Sequence, residues 1–176
     1  MASADPLAAT DRDIIIHSSP VHDDARPLFE ALAVEYEQRY AGLIDPAEAE
    51  AELNRFPPER FVAPDGVFLL LRRAGQTIGG GAYVRYDERT AELKRIWAHG
   101  DYRRQGLARR IVRELEAEAI KVGYRRIVLS TGFRQPEAVK LYLSLGYRPL
   151  FEVDSNWEEI FTLSFEKDLD VPGANA

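Results

Sequence analysis

The chain of 176 residues contains no cysteine. Disulfides, thiolate metal ligands and a cysteine nucleophile are therefore excluded. Histidine is nearly as scarce: His17, His22 and His99 are scattered without metal-ligand spacing, so no metal site is expected. No apolar run approaches the ~18–20 residues that span a bilayer, and no membrane partner is expected. The opening stretch MASADPLAATDRD lacks the basic-then-apolar order of a secretory leader, so a cytoplasmic location is the expectation. Positive charge is also short. Against 29 acids stand 23 lysines and arginines, a net charge of −6, which argues against nucleic acid as a partner. Signatures of other enzyme classes are missing too. Gly79-Gly80-Gly81 falls mid-strand with no helix after it, so it fails as a dinucleotide loop and predicts close backbone packing or a bulge. There is no Walker A sequence and no Gly-x-Ser-x-Gly elbow, and Ser130 has no evident histidine partner.

What is present is ordinary globular material, 45% hydrophobic and 30% charged residues. It fits one domain over 12–169 with flexible tails at 1–11 and 170–176. The isoleucine run of Asp13 to His17 reads as a buried strand. Leu28, Phe29, Leu32, Ala33 and Tyr36 recur at helical spacing within a helix over 21–40, and a short helix over 47–53 follows among prolines. Strands are expected over 67–73, 77–86 and 91–98, the first two joined by a hairpin across Ala74-Gly75-Gln76. A helix from Gly106 to Lys121 puts Leu107, Ile111 and Leu115 on one face, and its acids Glu114, Glu116 and Glu118 read as its solvated side. A strand over 126–131, a helix over 136–145 and strands over 147–153 and 160–167 complete the order. The implied class is α/β (α+β), a mixed sheet flanked by helices.

The chemistry concentrates between Ala91 and Tyr147. Asp101 to Arg110 (DYRRQGLARR) follows a strand and runs into an amphipathic helix, leaving main-chain N–H groups at the positive end of the helix dipole. Such a junction binds anions, and Gly106 lets a ligand approach the backbone. Four arginines against one aspartate give it a local charge of +3 inside an acidic chain. A phosphate-bearing ligand and a plain solvated helix start are both compatible with these ten residues alone.

Arg103-x-x-Gly106-x-Ala108 resembles the Gln/Arg-x-x-Gly-x-Gly/Ala signature of the GNAT acetyltransferases, with alanine where glycine is more frequent. Ala91 to Ala98 (AELKRIWA) is similar to that family's fourth strand. Gln135 to Tyr147 (QPEAVKLYLSLGY) is similar to its Asn-x-x-Ala-x-x-x-Tyr-x-x-x-Gly-Phe/Tyr segment, with Gln135 in the place of the asparagine. The three motifs, in order, cover about a third of the chain. The resemblance implies the acyl-CoA N-acyltransferase fold, with a mixed, mostly antiparallel sheet. It also implies an N-acetyltransferase that moves an acetyl group from acetyl-CoA to an amine of a small molecule or peptide, and a homodimer. A catalytically silent acyl-CoA-binding module of the same fold is the alternative.

By the same resemblance Arg103, Arg104, Gln105, Gly106, Leu107, Ala108 and Arg109 form the pyrophosphate loop. Ile96 supplies the N–H that polarises the thioester, Trp97 and Ala98 border the pantetheine arm, and Gln135 bonds the arm or the neighbouring strand. Tyr142 matches the family's general acid; the alternative is a core tyrosine beside Val139 and Leu143. Glu92 matches the base of the histone-acetylating branch; the alternative is a strand-end partner for Arg89 or Lys94. Glu35, Tyr36 and Tyr40 on the first helix are the candidates for meeting the acceptor, equally readable as helix surface. Trp97 and Trp157 are each readable as core or ligand-facing.

Overall fold

The computed structural model describes residues 13–170 and Gly173. The expected tails fall outside the described residues apart from Asp170 and Gly173. In chain order the elements are β1 (Asp13–His17), a 3-10 turn (Asp23–Ala25), α1 (Arg26–Tyr40), α2 (Pro46–Leu53), a second 3-10 turn (Pro58–Phe61), β2 (Val67–Arg73), β3 (Gln76–Arg85), β4 (Thr90–Ala98), a third 3-10 turn (Gly100–Tyr102), α3 (Leu107–Lys121), β5 (Arg126–Gly132), α4 (Pro136–Ser144), β6 (Arg148–Pro149), α5 (Trp157–Ile160) and β7 (Thr162–Asp168). The seven strands form one sheet in the order β1-β2-β3-β4-β5-β7-β6. Only β4 and β5 are parallel neighbours; every other pair is antiparallel.

Around β2 and β3 the sheet is buried on both faces, and β2 shows why its sequence is a continuous apolar run. Val67, Leu69 and Leu71 join the core built with α3 and α4, while Phe68 and Leu70 join the core beneath α1. The three glycines of β3 make both contacts close enough. A Cβ at Gly79 would stand 2.8 Å from Ile111 Cδ1, one at Gly80 2.7 Å from Leu28 Cδ1, and one at Gly81 2.6 Å from Ile96 Cδ1. The expected close packing and bulge are both found here, since the β3/β4 register shifts between Gly80 and Ala82.

Helix ends follow local chemistry. Gly123 and Gly146 take positive φ, 104° and 84°, after α3 and α4. In each case the glycine N–H and the next residue's N–H bond back to the last turn, Gly123 to Ile120 and Tyr124 to Ala119, Gly146 to Leu143 and Tyr147 to Tyr142.

Two expectations need correction. The first helix begins at Arg26 rather than at residue 21, because Pro27 has no N–H to give to residue 23 and its ring excludes an α-helical turn there, so only the 3-10 turn of Asp23–Ala25 precedes it. The strand expected over 147–153 is reduced to Arg148–Pro149, followed by one further bond to β7, from Leu150 N to Ser164 O at 2.8 Å, before the chain turns away at 152–155. The chain then forms α5, whose start is capped by Asn156 Oδ1 accepting from Glu158 N at 3.3 Å.

Candidate active site

The sheet opens in its middle. β4 pairs with β5 only from Thr90 to Glu92, opposite Arg126 to Val128. β5 then stays with β7 as far as Gly132, while β4 stays with β3 as far as Ala98. Beyond Glu92 and Val128 the two parallel strands diverge. On that side the edge of β4 from Leu93 to Ala98 has no partner strand among the described residues.

At the mouth of this cleft the chain leaves β4, makes the 3-10 turn at Gly100–Tyr102, and enters α3. His99 Nδ1 accepts from Asp101 N at 3.1 Å and starts the turn. Arg104 and Gly106 both take left-handed φ, 62° and 71°. Nothing lies within 4 Å of a Cβ built on Gly106, so glycine serves conformation there, not space. Among the described residues no group accepts a hydrogen bond from the main-chain N–H groups of Arg103 to Arg109. Changes of backbone handedness of this kind make N–H groups converge, and the helix dipole adds positive potential. The loop is held from below. Arg73 donates to both carboxylate oxygens of Asp13, at 2.6 and 2.7 Å, and to Gln105 Oε1 at 3.0 Å, and lies over the Tyr102 ring at 5.0 Å. Hydrogen bonding to Arg73 holds the Asp13 carboxyl below its ordinary pKa. Arg103 and Arg104 are exposed at the loop, and Arg109 donates to Ser144 Oγ on α4 at 2.6 Å. Leu107 is buried, so its contribution to a ligand is its amide.

Along the cleft, the Ile96 side chain packs on the α3 side and Trp97 is buried beneath α1. Only their main chain can border a ligand on the open edge. Ala98 packs beside Ile96. From the far side α4 brings Tyr142, buried to 5% exposure between the rings of Tyr147 (5.5 Å) and Phe165 (5.7 Å). Its hydroxyl bonds to no described residue, and burial pushes its pKa up. The phenol is therefore a protonated donor at any neutral pH. Gln135, just before α4, accepts at Oε1 from Thr131 Oγ1 at 2.6 Å, the neighbouring-strand contact.

Behind β4, on the side of α1 and α2, lies a cavity of about 1110 Å³. Of the three residues expected to meet an acceptor, Tyr36 and Tyr40 line it and Glu35 does not. Glu35 is held in a network in which Arg39 pairs with it at 2.8 Å, pairs with Glu137, and donates to Arg134 O at 2.7 Å. The Tyr40 hydroxyl occupies the space a Cβ on Gly132 would need, which docks the end of α1 on β5. Glu92 pairs with Lys94 at 2.8 Å and is absent from the cavity wall. Trp157 donates from Nε1 to Val153 O at 2.9 Å, and its ring meets Phe151 edge-on at 6.2 Å.

Sequence reasoning missed the residue that β4 itself adds to the cavity. Lys94 pairs with Ala82 and Trp97 with Gly80, so Arg95 and Ile96 together face Gly81. This bulge sets Arg95 at φ 61° and turns its side chain to the cavity, where Nη2 donates to the Glu52 and Leu53 carbonyls at 2.6 and 2.9 Å. The signal was present: Leu93 and Ile96 are three apart, which breaks the two-residue period of a strand.

A family model described as the acetyltransferase (GNAT) family matches residues 22–147. The chain belongs to the GNAT family of acetyltransferases. A GNAT chain is an acyltransferase, and its relatives agree. It is 31% identical over 134 residues to a protein of Azospirillum brasilense called IAA acetyltransferase, covering 76% of this chain and 82% of that one. A GNAT-family acetyltransferase of Staphylococcus aureus superposes with a TM-score of 0.69 at 14% identity, covering 90% and 99% of the two chains. The PaiA N-acetyltransferase of Thermoplasma acidophilum, solved in complex with coenzyme A, gives 0.67 at 18% identity over 89% and 98%. These likenesses extend the GNAT fold to nearly all the described residues. Those residues contain no helix long and apolar enough to cross a membrane, and no group of three or more acidic or histidine side chains able to hold a metal.

Proposed function

We propose that this GNAT enzyme transfers an acetyl group from acetyl-CoA to a primary amine by direct attack within a ternary complex. The observation that carries the reading is the cleft between β4 and β5 with the unpartnered amides of residues 103–109 at its mouth. Those amides suit a diphosphate, and the open edge of β4 suits the amides of a pantetheine arm. The coenzyme A complex of the PaiA relative supports the same cofactor. With no cysteine to carry the acyl group, transfer straight to the amine is the simpler course.

An alkyl ammonium has a pKa near ~10.4, so exposing its lone pair at neutral pH costs about 4–5 kcal/mol. We assign Glu92, the last residue of β4 paired with β5 before the cleft opens, to accept that proton through water. The freed amine attacks the thioester carbon, and the Ile96 N–H stabilises the resulting oxyanion. Collapse breaks the C–S bond, Tyr142 passes its phenolic proton to the departing sulfur, and the second proton of the attacking nitrogen leaves through water to restore the phenol and give the neutral amide. The amide product leaves with free coenzyme A.

Release of free thiol from acetyl-CoA across a panel of amines tests this reading. Intersecting initial-velocity lines are expected; parallel lines would contradict direct transfer. The pairing of Glu92 with Lys94 favours the second reading, a silent acyl-CoA-binding module. That reading requires tight cofactor binding with no thiol release from any amine.

A further inference from the structure

Resting on the transferase reading, we infer that the acceptor is an amine that also carries a carboxylate on an apolar, ring-sized body, the chemistry of a hydrophobic amino acid, and that Arg95 binds the carboxylate. Four carboxylates line the cavity, on Glu30, Glu37, Asp45 and Glu50, and all belong to exposed residues. Arg95 is the cation of the wall, and it is half-buried. No carboxylate among the described residues lies within 4.0 Å of its guanidinium, which leans on two carbonyls through one nitrogen. Nε and Nη1 are left to donate elsewhere, and neither is a sealed, unsatisfied atom. Arg95 itself lines the cavity. A guanidinium stays charged and presents a planar fork that fits a carboxylate.

Beside these polar groups the wall carries an aromatic and aliphatic surface that includes Phe29, Ala33, Tyr36, Leu53 and Phe56. A polyamine or a lysine-rich peptide would bring positive charge against Arg95 and leave these surfaces without an apolar partner. A hydrophobic amino acid fills both demands. Its amine and carboxylate share one carbon, so a carboxylate held at residue 95 brings the amine beside residue 96, whose N–H we assign to the thioester. The left-handed φ of Arg95, which disfavours a long side chain, places the two functions on consecutive residues facing opposite sides of the strand.

Two measurements separate this inference from the transferase reading. The first compares phenylalanine, phenylalanine amide and phenethylamine as acceptors in the thiol-release assay. The intact amino acid should exceed phenethylamine by at least about 10-fold in kcat/KM, mostly through KM, and Arg95→Gln should abolish that preference. The second measures binding of N-acetylphenylalanine by calorimetry, which needs no turnover. Arg95→Gln should weaken it by about 10-fold or more, with part of the loss recovered in Arg95→Lys. Arg95 also ties down α2, so melting curves accompany both variants, and the wild-type acceptor series decides the matter even where a variant fails to fold. Equal or faster turnover of phenethylamine or spermidine would overturn the inference while leaving the transferase reading intact. Arg95-dependent binding of the acetylated amino acid with no thiol release from any amine would do the opposite.

Discussion

At the scale of single residues, Tyr142 is where structure and chemistry compete most directly. Its ring is core, between Tyr147 and Phe165, and its hydroxyl is the only part that can act on a ligand. Tyr142→Phe keeps the ring, and because the hydroxyl has no described partner its removal should change stability by less than about 1 kcal/mol. If the phenol protonates the leaving thiolate, kcat should fall by roughly 100-fold or more with unchanged acetyl-CoA affinity. An unchanged kcat would return Tyr142 to a packing role. The pH dependence carries the same sign. Burial raises the phenol's pKa, so the donor form is fully present below the ordinary tyrosine value near ~10 and is lost only above it. In the wild type the alkaline limb of kcat should therefore not fall below pH ~10 through Tyr142; a loss near neutrality must come from another group. Its motif made Tyr142 legible. Arg95 was harder to read: the three-residue step from Leu93 to Ile96 hints at the bulge, but the left-handed φ of 61° at Arg95 is a backbone conformation that no residue letter encodes.

Between elements, the site depends on how closely helices approach the sheet. The three glycines of β3 were readable as a packing device, and that is what they are. What the sequence did not reveal is that Gly81 sits opposite the bulge, against the Ile96 side chain. Gly81→Val should thus do two things. Overpacking against Ile96 and Ile111 should cost about 1–3 kcal/mol, measured by chemical denaturation. It should also weaken acetyl-CoA, because the displaced residue carries the amide assigned to the thioester. Lost stability with wild-type cofactor affinity would detach the bulge from the binding site. The short β6 shows the limit of pattern reading at this scale. Residues 147–153 alternate well enough for a strand, but the chain leaves β7 after Leu150 to turn at Glu152–Ser155, and the partner strand could not be known in advance.

Over the whole molecule, the order of elements was largely readable, since each helix and most strands carry their own period and punctuation. The divergence of β4 from β5 was not. It arises because β5 is committed to β7 along its full length while β4 is committed to β3, a competition between partners distant in sequence. The cavity behind β4 was only partly visible for the same reason. Tyr36 and Tyr40 were found from α1, but α2, the segment around Phe56 and the bulge complete the wall from elsewhere in the chain. The fold thus sets a phosphate-sized amide cluster, an open strand edge and an apolar cavity around β4. Calorimetric titration with acetyl-CoA and with S-acetylpantetheine, which lacks the diphosphate, tests that arrangement most directly. The amides of residues 103–109 should make acetyl-CoA bind on the order of 100-fold more tightly, about 2.7 kcal/mol. Equal affinities, or no heat from acetyl-CoA, would contradict it.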